Sequence, residues 1–268
     1  MKTRLRTLVI CLIAFLPHFA LAQRAPLAGF GVVLMHGKGG QPGSNIVSLA
    51  EALESQGAKV VRPRMAWSGQ RGQPTSYEIE FSAALRAIDP AIAELRKNGA
   101  TKIFVGGQSI GANAAIAYGA RYGKTIQGVI AIAPGHTPER WVQNREISRA
   151  ILEARALIAQ GQGDRMRPFP DINQGRSFDV PGTPRAWLSF FDPQGPASMP
   201  HSAQALPRIP FLWVIGRSDM LAQSGADYAF ARAPTHPGSR YVEIDAGHMD
   251  GPDKATSVVT EWLKTIRQ

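Results

Sequence analysis

The stretch Gly107-Gln108-Ser109-Ile110-Gly111 places a serine between two glycines in the pattern G-x-S-x-G. It follows the apolar run 102–106, which is typical of a strand, and opens the alanine-rich segment 110–122, which is typical of a helix. Because glycine tolerates backbone angles and contacts that other residues do not, a sharp, crowded turn is expected here. Ser109 is then either an ordinary helix cap or a presented nucleophile, and the strand–turn–helix setting favours the nucleophile.

A serine hydroxyl is a weak nucleophile until a base takes its proton, and histidine is the usual base. His248 is the histidine that directly follows the last predicted strand, 240–245, on a loop between Gly247 and Gly251. The chain order Ser…Asp/Glu…His is the order found on doubly wound hydrolase sheets. We therefore predict that His248 is the general base, the alternative being a histidine of a surface loop.

The imidazole of such a base is oriented by a carboxylate. Asp219 ends the stretch "FLWVIGRSD", just beyond the strand 211–216 and one strand before His248. This position predicts Asp219 as the acid, the alternative being an aspartate that caps a turn. Asp192 and Asp245 are the competing candidates.

Acyl transfer also needs hydrogen-bond donors for the oxyanion. The glycines of "LMHGKGGQPGSN", residues 34–45, bring the first strand's end close to the site, and the backbone N–H groups of Lys38 and Ile110 are the predicted donors. The Lys38 side chain either points to solvent or favours acidic substrates. A phosphate-binding loop is disfavoured because the stretch does not match G-x-x-x-x-G-K-[ST].

The elements that position these groups alternate along the chain. Runs rich in Val and Ile predict strands at 30–35, 58–63, 102–106, 128–133, 211–216 and 240–245. The segments between and after them predict helices at 44–56, 80–97, 110–122, 142–160, 222–231 and 253–267. This alternation predicts an α/β fold with a doubly wound, mostly parallel sheet of about six strands. Ligands of such sheets bind beyond the carboxyl ends of the strands.

One connection, 136–208, is too long for a simple crossover. It predicts one helix and then a stretch rich in Pro and Gly, and it carries the aromatic residues Trp141, Phe169, Phe178, Trp187, Phe190 and Phe191. Two interpretations are open. The insertion is a lid or specificity element over the site, or it is a packed structural insertion.

With these motifs in place, the chain resembles an α/β-hydrolase of the serine esterase type. "HGKGG", "GGQSIG", "GRSD" and "AGHMD" correspond in order to the family's oxyanion loop, nucleophile elbow, acid loop and histidine loop. The resemblance implies a triad of Ser109, Asp219 and His248, with Lys38 and Ile110 as oxyanion donors and no cofactor or metal. Because only residues 23–29 separate the first strand from the predicted leader, the antiparallel strands that open many family members are expected to be missing.

The implied function is hydrolysis of carboxylic esters through an acyl-enzyme. The alternatives are an amidase or peptidase that uses the same triad, and a binding protein on a hydrolase fold that does not catalyse. The expected substrate is a small-molecule or envelope-associated ester. A nucleic-acid partner is not expected, because the basic residues form no long run or aromatic-interleaved stripe.

The first 22 residues have the layout of a secretory signal peptide. A basic start precedes a short apolar run, and Ala20-Leu21-Ala22 is a small-x-small cleavage site before Gln23. Cleavage there leaves one domain, residues 23–268, with no stable membrane span and no cysteine, since Cys11 is the only one. It also lowers the formal charge from +10 to +7, because the leader holds three basic residues and no acidic one. A periplasmic or secreted location is therefore expected.

Overall fold

The computed structural model describes residues 25–266. The predicted signal peptide, residues 1–22, lies outside the described residues. None of the helices within 25–266 is both long and apolar enough to cross a membrane.

Six parallel strands form the central sheet. The strands of the described residues are, in chain order, β1 (Phe30–Met35), β2 (Lys59–Val61), β3 (Gly69–Gln70), β4 (Gln73–Pro74), β5 (Lys102–Gln108), β6 (Gly128–Ile132), β7 (Arg167–Asn173), β8 (Arg176–Gly182), β9 (Phe211–Gly216) and β10 (Arg240–Ile244). The sheet has the order β10-β9-β6-β5-β1-β2, with parallel pairing throughout. The predicted doubly wound, parallel sheet of six strands is confirmed. Two antiparallel hairpins, β3–β4 and β7–β8, were not expected from the sequence.

The strand order places a switch point between β1 and β5. β2 lies on one side of β1, whereas β5, β6, β9 and β10 follow on the other side. In open parallel sheets the crevice at such a reversal, beyond the carboxyl ends of the strands, is where ligands bind. The loop after β1 and the turn after β5 meet at this crevice.

Helices cover both faces of the sheet. They are α1 (Val47–Ser55), α2 (Phe81–Ala84), α3 (Ile88–Lys97), α4 (Ile110–Tyr122), α5 (Pro138–Trp141), α6 (Arg145–Ala159), α7 (Pro184–Phe191), α8 (Met199–Gln204), α9 (Gly251–Lys254) and α10 (Thr256–Ile266). Successive side chains of β1 alternate between the two resulting cores. Val33 and Met35 pack with α3 and α4, and Val32 and Leu34 pack with α1 and α10. Burial on both faces explains why the strands are continuous apolar runs.

The helix predicted at 222–231 is wrong. The segment instead forms three separate 3₁₀ turns, Ala222–Ser224, Ala226–Tyr228 and Phe230–Arg232. Gly225 has φ 60° and ψ −171°, which no α-helix accommodates, and it separates the first two turns. The Phe230 ring packs 5.3 Å from that of Phe211. Contacts with β9 therefore outweigh the local helical pattern.

The insertion 136–208 is packed onto the same core as α3 and α4. It contains α5 to α8 and the hairpin β7–β8, and its rings Phe169, Trp187, Phe190 and Phe191 are at most 1% exposed. The Trp187 and Phe191 rings stack with centroids 4.5 Å apart. These aromatic residues belong to the shared core, whereas the hairpin reaches the carboxyl edge of the sheet, where the candidate site lies.

Candidate active site

Ser109 lies on a strained turn between β5 and α4. Its φ is 58° and its ψ is −125°, a conformation that a non-glycine residue rarely adopts. The turn is crowded as well as strained. A Cβ on Gly107 would lie 2.5 Å from the carbonyl carbon of Gly111, and a Cβ on Gly111 would lie 2.7 Å from the carbonyl oxygen of Met35. Both glycines are therefore needed for the serine to occupy this position. Backbone strain of this kind is common at functional sites.

The structure brings Ser109, His248 and Asp219 together. His248 Nε2 lies 3.0 Å from Ser109 Oγ, and His248 Nδ1 lies 2.7 Å from Asp219 Oδ2. Asp219 follows β9 and His248 follows β10, so both loops leave the same edge of the sheet. An ionised carboxylate only accepts hydrogen bonds, so Nδ1 donates to Asp219. Nε2 is then free to accept the hydroxyl proton of Ser109.

The two competing aspartates lie away from this arrangement. Asp192 accepts a hydrogen bond from Arg155 at 3.2 Å, and Asp245 is an exposed residue at the end of β10. Among the described residues, neither forms a hydrogen bond or ion pair with His248.

A side-chain hydrogen bond and close packing hold the His248 loop against the serine turn. Gln108, which precedes the serine, donates from Nε2 to the His248 carbonyl at 3.2 Å. Gly135 lies against the His248 ring, because a Cβ there would be 2.5 Å from His248 Cε1 and 3.3 Å from Ser109 Oγ. The role of Gln108 was not predicted, since the middle positions of the G-x-S-x-G pattern carry no residue preference.

The loop after β1 lies directly beside the serine. A Cβ on Gly37 would be 3.2 Å from the Cβ of Ser109, and the Gly40 N–H donates to the Gly37 carbonyl across Lys38 and Gly39. Ile110 is the first residue of α4. The first N–H groups of a helix have no acceptor within it and carry a partial positive charge. The two predicted oxyanion residues, Lys38 and Ile110, therefore flank Ser109.

The Lys38 side chain points away from solvent and pairs with an acid of the insertion. Its Nζ lies 2.5 Å from Asp171 Oδ1, and the two side chains are 3% and 0% exposed. Nζ also donates to the Ile172 carbonyl at 3.0 Å and lies 4.7 Å from the Trp141 ring centroid. The interpretation that this side chain points to solvent is thus wrong, and a carboxylate of the insertion pairs with its charge.

Asp171 connects the loop after β1 to strand β7. Its Oδ2 accepts the Tyr77 hydroxyl at 2.8 Å, and its Oδ1 also accepts the Ile172 N–H at 2.6 Å. Burial lowers the pKa of Lys38 and the neighbouring carboxylate opposes this shift. Burial and the same carboxylate raise the pKa of Tyr77 well above its usual range. Nothing local in the sequence marks Asp171, which lies 133 residues from its lysine.

Two further histidines near the site are buried and neutral. The His36 Nδ1–H donates to the Gly37 carbonyl at 2.8 Å, and Nε2 accepts the Met65 N–H at 3.3 Å. His136 Nε2–H donates to the Phe190 carbonyl at 2.7 Å, whereas its buried Nδ1 has no partner among the described residues. Burial lowers the pKa of both rings, and that of His136 falls well below its usual range. His36 therefore shapes the loop after β1, and none of its hydrogen bonds goes to Ser109.

Ser109 opens onto two cavities. The larger has a volume of about 620 Å³ and is lined by His248, by the insertion residues Trp141 and Ile172, and by Met220 and Leu221. The smaller has a volume of about 340 Å³ and lies between the loop after β1 and the two hairpins. The turn between β7 and β8 lines both cavities. The insertion therefore shapes the site, although its buried aromatic residues pack within the core of the domain. Within residues 25–266 no group of acidic, histidine and cysteine side chains is arranged to hold a metal ion.

Comparison with known proteins agrees with this arrangement. A family model described as "Serine aminopeptidase, S33" in the Hydrolase_4 family matches residues 30–163, half of the 268-residue chain. The chain belongs to this family. The matched part of this α/β-hydrolase includes Ser109, Lys38 and Ile110. The resemblance that the motifs carried is confirmed, and the protein is a serine hydrolase.

Solved α/β-hydrolases share the fold over most of their length. A monoacylglycerol lipase of Paleococcus ferrophilus is 20% identical with a TM-score of 0.63, over 88% of this chain and 94% of that chain. A thermophilic esterase from Thermogutta terrifontis is 24% identical with a TM-score of 0.56, over 90% and 92%. A metagenome-derived lipolytic enzyme is 16% identical with a TM-score of 0.62, over 90% and 94%. None of the curated proteins compared with this hydrolase matches its sequence.

Proposed function

We propose that this hydrolase cleaves carboxylic esters through an acyl-enzyme on Ser109, with His248 as general base and Asp219 as its orienting acid. The observation that carries the proposal is the position of His248. Its two ring nitrogens lie 3.0 Å from the serine hydroxyl and 2.7 Å from a buried carboxylate. This is the geometry in which a serine is deprotonated as it attacks.

The reaction proceeds in two halves. Ser109 Oγ attacks the ester carbonyl carbon while His248 Nε2 takes its proton, and the resulting imidazolium is stabilised by Asp219. The oxyanion accepts hydrogen bonds from the backbone N–H groups of Lys38 and Ile110. The bond from carbon to the alkoxy oxygen then breaks, and His248 gives its proton to the departing alcohol.

Water completes the second half. His248 deprotonates a water molecule that attacks the acyl-enzyme carbonyl, and the proton returns to Ser109 as the acid leaves. The His248 imidazole accepts and returns each proton in both halves, so these steps require no cofactor.

Small-molecule esters are the proposed substrates. The names of the similar structures describe lipases and esterases. The larger cavity has apolar walls at Trp141, Ile172 and Leu221 that suit an acyl or alkyl group. The family description names an aminopeptidase, so an amidase or peptidase on the same triad is the second candidate.

The test compares purified protein on para-nitrophenyl esters of graded acyl length with the matching para-nitroanilides. We expect ester hydrolysis to exceed anilide hydrolysis, and Ser109→Ala to lower kcat by roughly 10⁴ to 10⁶. Ser55→Ala, at an exposed serine of α1, is the matched control. Faster anilide hydrolysis would favour the peptidase. Equal rates for Ser109→Ala and the unaltered protein would contradict the triad.

We also propose that the protein is exported and acts in the periplasm or outside the cell. The support is the basic, apolar and small-residue pattern of residues 1–22. Mass spectrometry of the protein recovered from the producing cell should find an N-terminus at or near Gln23. Full-length protein beginning at Met1 in the cytoplasm would contradict this location.

A further inference from the structure

The smaller cavity beside Ser109 differs in charge from the larger one. Arg71 and Arg176 line the smaller cavity, and none of its lining residues within the described chain is an aspartate or glutamate. The larger cavity, in contrast, includes Asp219 and Asp250. Lys38 lines both cavities, but its charge is neutralised by Asp171 at 2.5 Å. The two arginines therefore set the charge of the smaller cavity.

Arg71 lies in one hairpin turn, and Arg176 begins β8 directly after a second one. Arg71 and Gly72 connect β3 to β4 with φ angles of 50° and 79°, and Gln174 and Gly175 connect β7 to β8 with φ angles of 51° and 71°. Two consecutive positive φ angles favour Asn, Asp or Gly at the first position. Arginine at that position is an unfavourable choice for the turn itself. Residues kept in such conformations are a reason to look for function.

The two turns are held together and against the loop after β1. The Asn173 side-chain amide donates to the Gly72 carbonyl at 2.7 Å. A Cβ on Gly39 would lie 2.2 Å from the Gly72 carbonyl carbon, so the β3–β4 turn contacts the residue next to Lys38. This contact fixes the backbone that carries Arg71 beside the predicted oxyanion donors.

Neither guanidinium group takes part in an ion pair or hydrogen bond within the described residues. Arg71 and Arg176 are exposed residues, and neither guanidinium has a carboxylate or hydrogen-bond partner within residues 25–266. Three other arginines form ion pairs, among them Arg155 with Asp192 and Arg185 with Asp164. Two unpaired guanidinium groups on one cavity are suited to an anionic ligand, because each presents N–H donors in a planar fork that matches a carboxylate.

We propose that the smaller cavity is a subsite for a carboxylate carried by the ester substrate, held by Arg71 and Arg176 while Ser109 attacks the ester carbonyl. The proposal rests on the ester hydrolase activity proposed above. It narrows the substrate class to monoesters of dicarboxylic acids, or esters whose alcohol carries an acid group. Phe178 and Met249 supply apolar contacts for the carbon chain between the two groups.

The experiment measures kcat/KM on two matched pairs of esters. Para-nitrophenyl hemiglutarate is compared with para-nitrophenyl pentanoate, which places the carboxylate on the acyl side. Para-carboxyphenyl butyrate is compared with para-carbamoylphenyl butyrate, which places it on the alcohol side. The variants are Arg71→Gln, Arg176→Gln, the double variant and Arg176→Glu. Arg86→Gln is the control, since Arg86 is exposed and lines neither cavity.

In at least one pair, we expect the ratio of kcat/KM for the anionic ester to that for the neutral ester to fall by about tenfold in the double variant. Arg176→Glu should lower the ratio further, and added salt should lower it in the unaltered protein. The pair that responds identifies the side of the ester that occupies the cavity. A ratio that stays within about twofold in both pairs, or an equal fall in Arg86→Gln, would overturn the subsite.

A binding measurement separates this proposal from the activity on which it rests. Ser109→Ala is titrated with monoethyl glutarate and with ethyl pentanoate by calorimetry, with and without the two arginine substitutions. Arginine-dependent binding of the acid, together with an absence of ester hydrolysis, would overturn the proposed function and leave the anion subsite. Ester hydrolysis with no arginine-dependent binding or selectivity would overturn the anion subsite and leave the proposed function.

Discussion

Replacing Asp171 by alanine would leave Lys38 as an unpaired charge in the core beside Ser109. The ion pair is 2.5 Å long and its two side chains are 3% and 0% exposed, so water cannot replace the lost carboxylate without a rearrangement. Removing one partner of a buried pair costs about 3–5 kcal/mol of folding free energy. The Tyr77 hydroxyl, 2.8 Å from the same carboxylate, loses its acceptor as well. We therefore expect the loss of folding free energy in Asp171→Ala to lie in the upper part of that range.

The same change should impair catalysis beyond its effect on stability. Lys38 supplies a proposed oxyanion donor through its backbone, and the ion pair holds its side chain against β7. If Lys38 moves to reach water, its N–H moves with it. Loss of one oxyanion donor costs about 10²–10³ in kcat, which sets the upper limit for this variant.

A double-mutant cycle separates the pair from the cavity that surrounds it. Lys38→Met and Asp171→Leu are measured singly and together by urea unfolding, with kcat on a para-nitrophenyl ester measured in parallel. The double variant should regain most of the stability that each single variant loses, because an apolar pair of similar volume leaves no buried charge. A loss below about 1 kcal/mol in Asp171→Ala, or additive losses in the cycle, would refute the reasoning.

Four further predictions follow from the packing and protonation around the site. Gly111→Ala should lose about 1–3 kcal/mol in urea unfolding, because its Cβ would lie 2.7 Å from the Met35 carbonyl oxygen; an unchanged midpoint would contradict this. His136 is neutral in the folded protein because burial lowers its pKa. As the pH decreases below the ordinary pKa of histidine, only the unfolded state binds the extra proton, so the free energy of unfolding decreases. That loss amounts to as much as about 2 kcal/mol between about pH 7.5 and pH 5, and His136→Gln should show a correspondingly smaller slope in unfolding measured across this range. Trp187→Ala should cost about 3–5 kcal/mol with little change in acyl-chain preference, because the ring is fully buried; a shifted preference at full stability would contradict its core role. Trp141→Ala should instead shift kcat/KM toward longer acyl groups, because this ring lines the larger cavity; an unchanged chain-length profile would count against that role.

The sheet and the positions of the site residues could be predicted because local patterns encode them. Strands buried on both faces are continuous apolar runs, and the turn that carries Ser109 needs glycines at the positions where the structure has no room for a Cβ. Asp219 and His248 could be placed because parallel strands end at the same edge of the sheet. For these features, short-range sequence and tertiary structure agree.

The hairpins and the buried ion pair could not be predicted in the same way. Pro168, Pro170 and Pro181 lie within β7 and β8, and proline argues against a strand unless the strand is at an edge. The turns Arg71-Gly72 and Gln174-Gly175 lack the usual Asn-Gly or Asp-Gly signal. The partner of Lys38 is set by how the insertion packs over the sheet, which no periodicity along the chain encodes.

The central claim is that Ser109 becomes covalently acylated. The most direct test labels the purified protein with a fluorophosphonate probe and maps the adduct by peptide mass spectrometry, with Ser109→Ala and Ser55→Ala treated in parallel. We predict one adduct, on the peptide that contains Ser109, retained in Ser55→Ala and lost in Ser109→Ala. An adduct on a different serine, or active protein that carries no adduct, would contradict it.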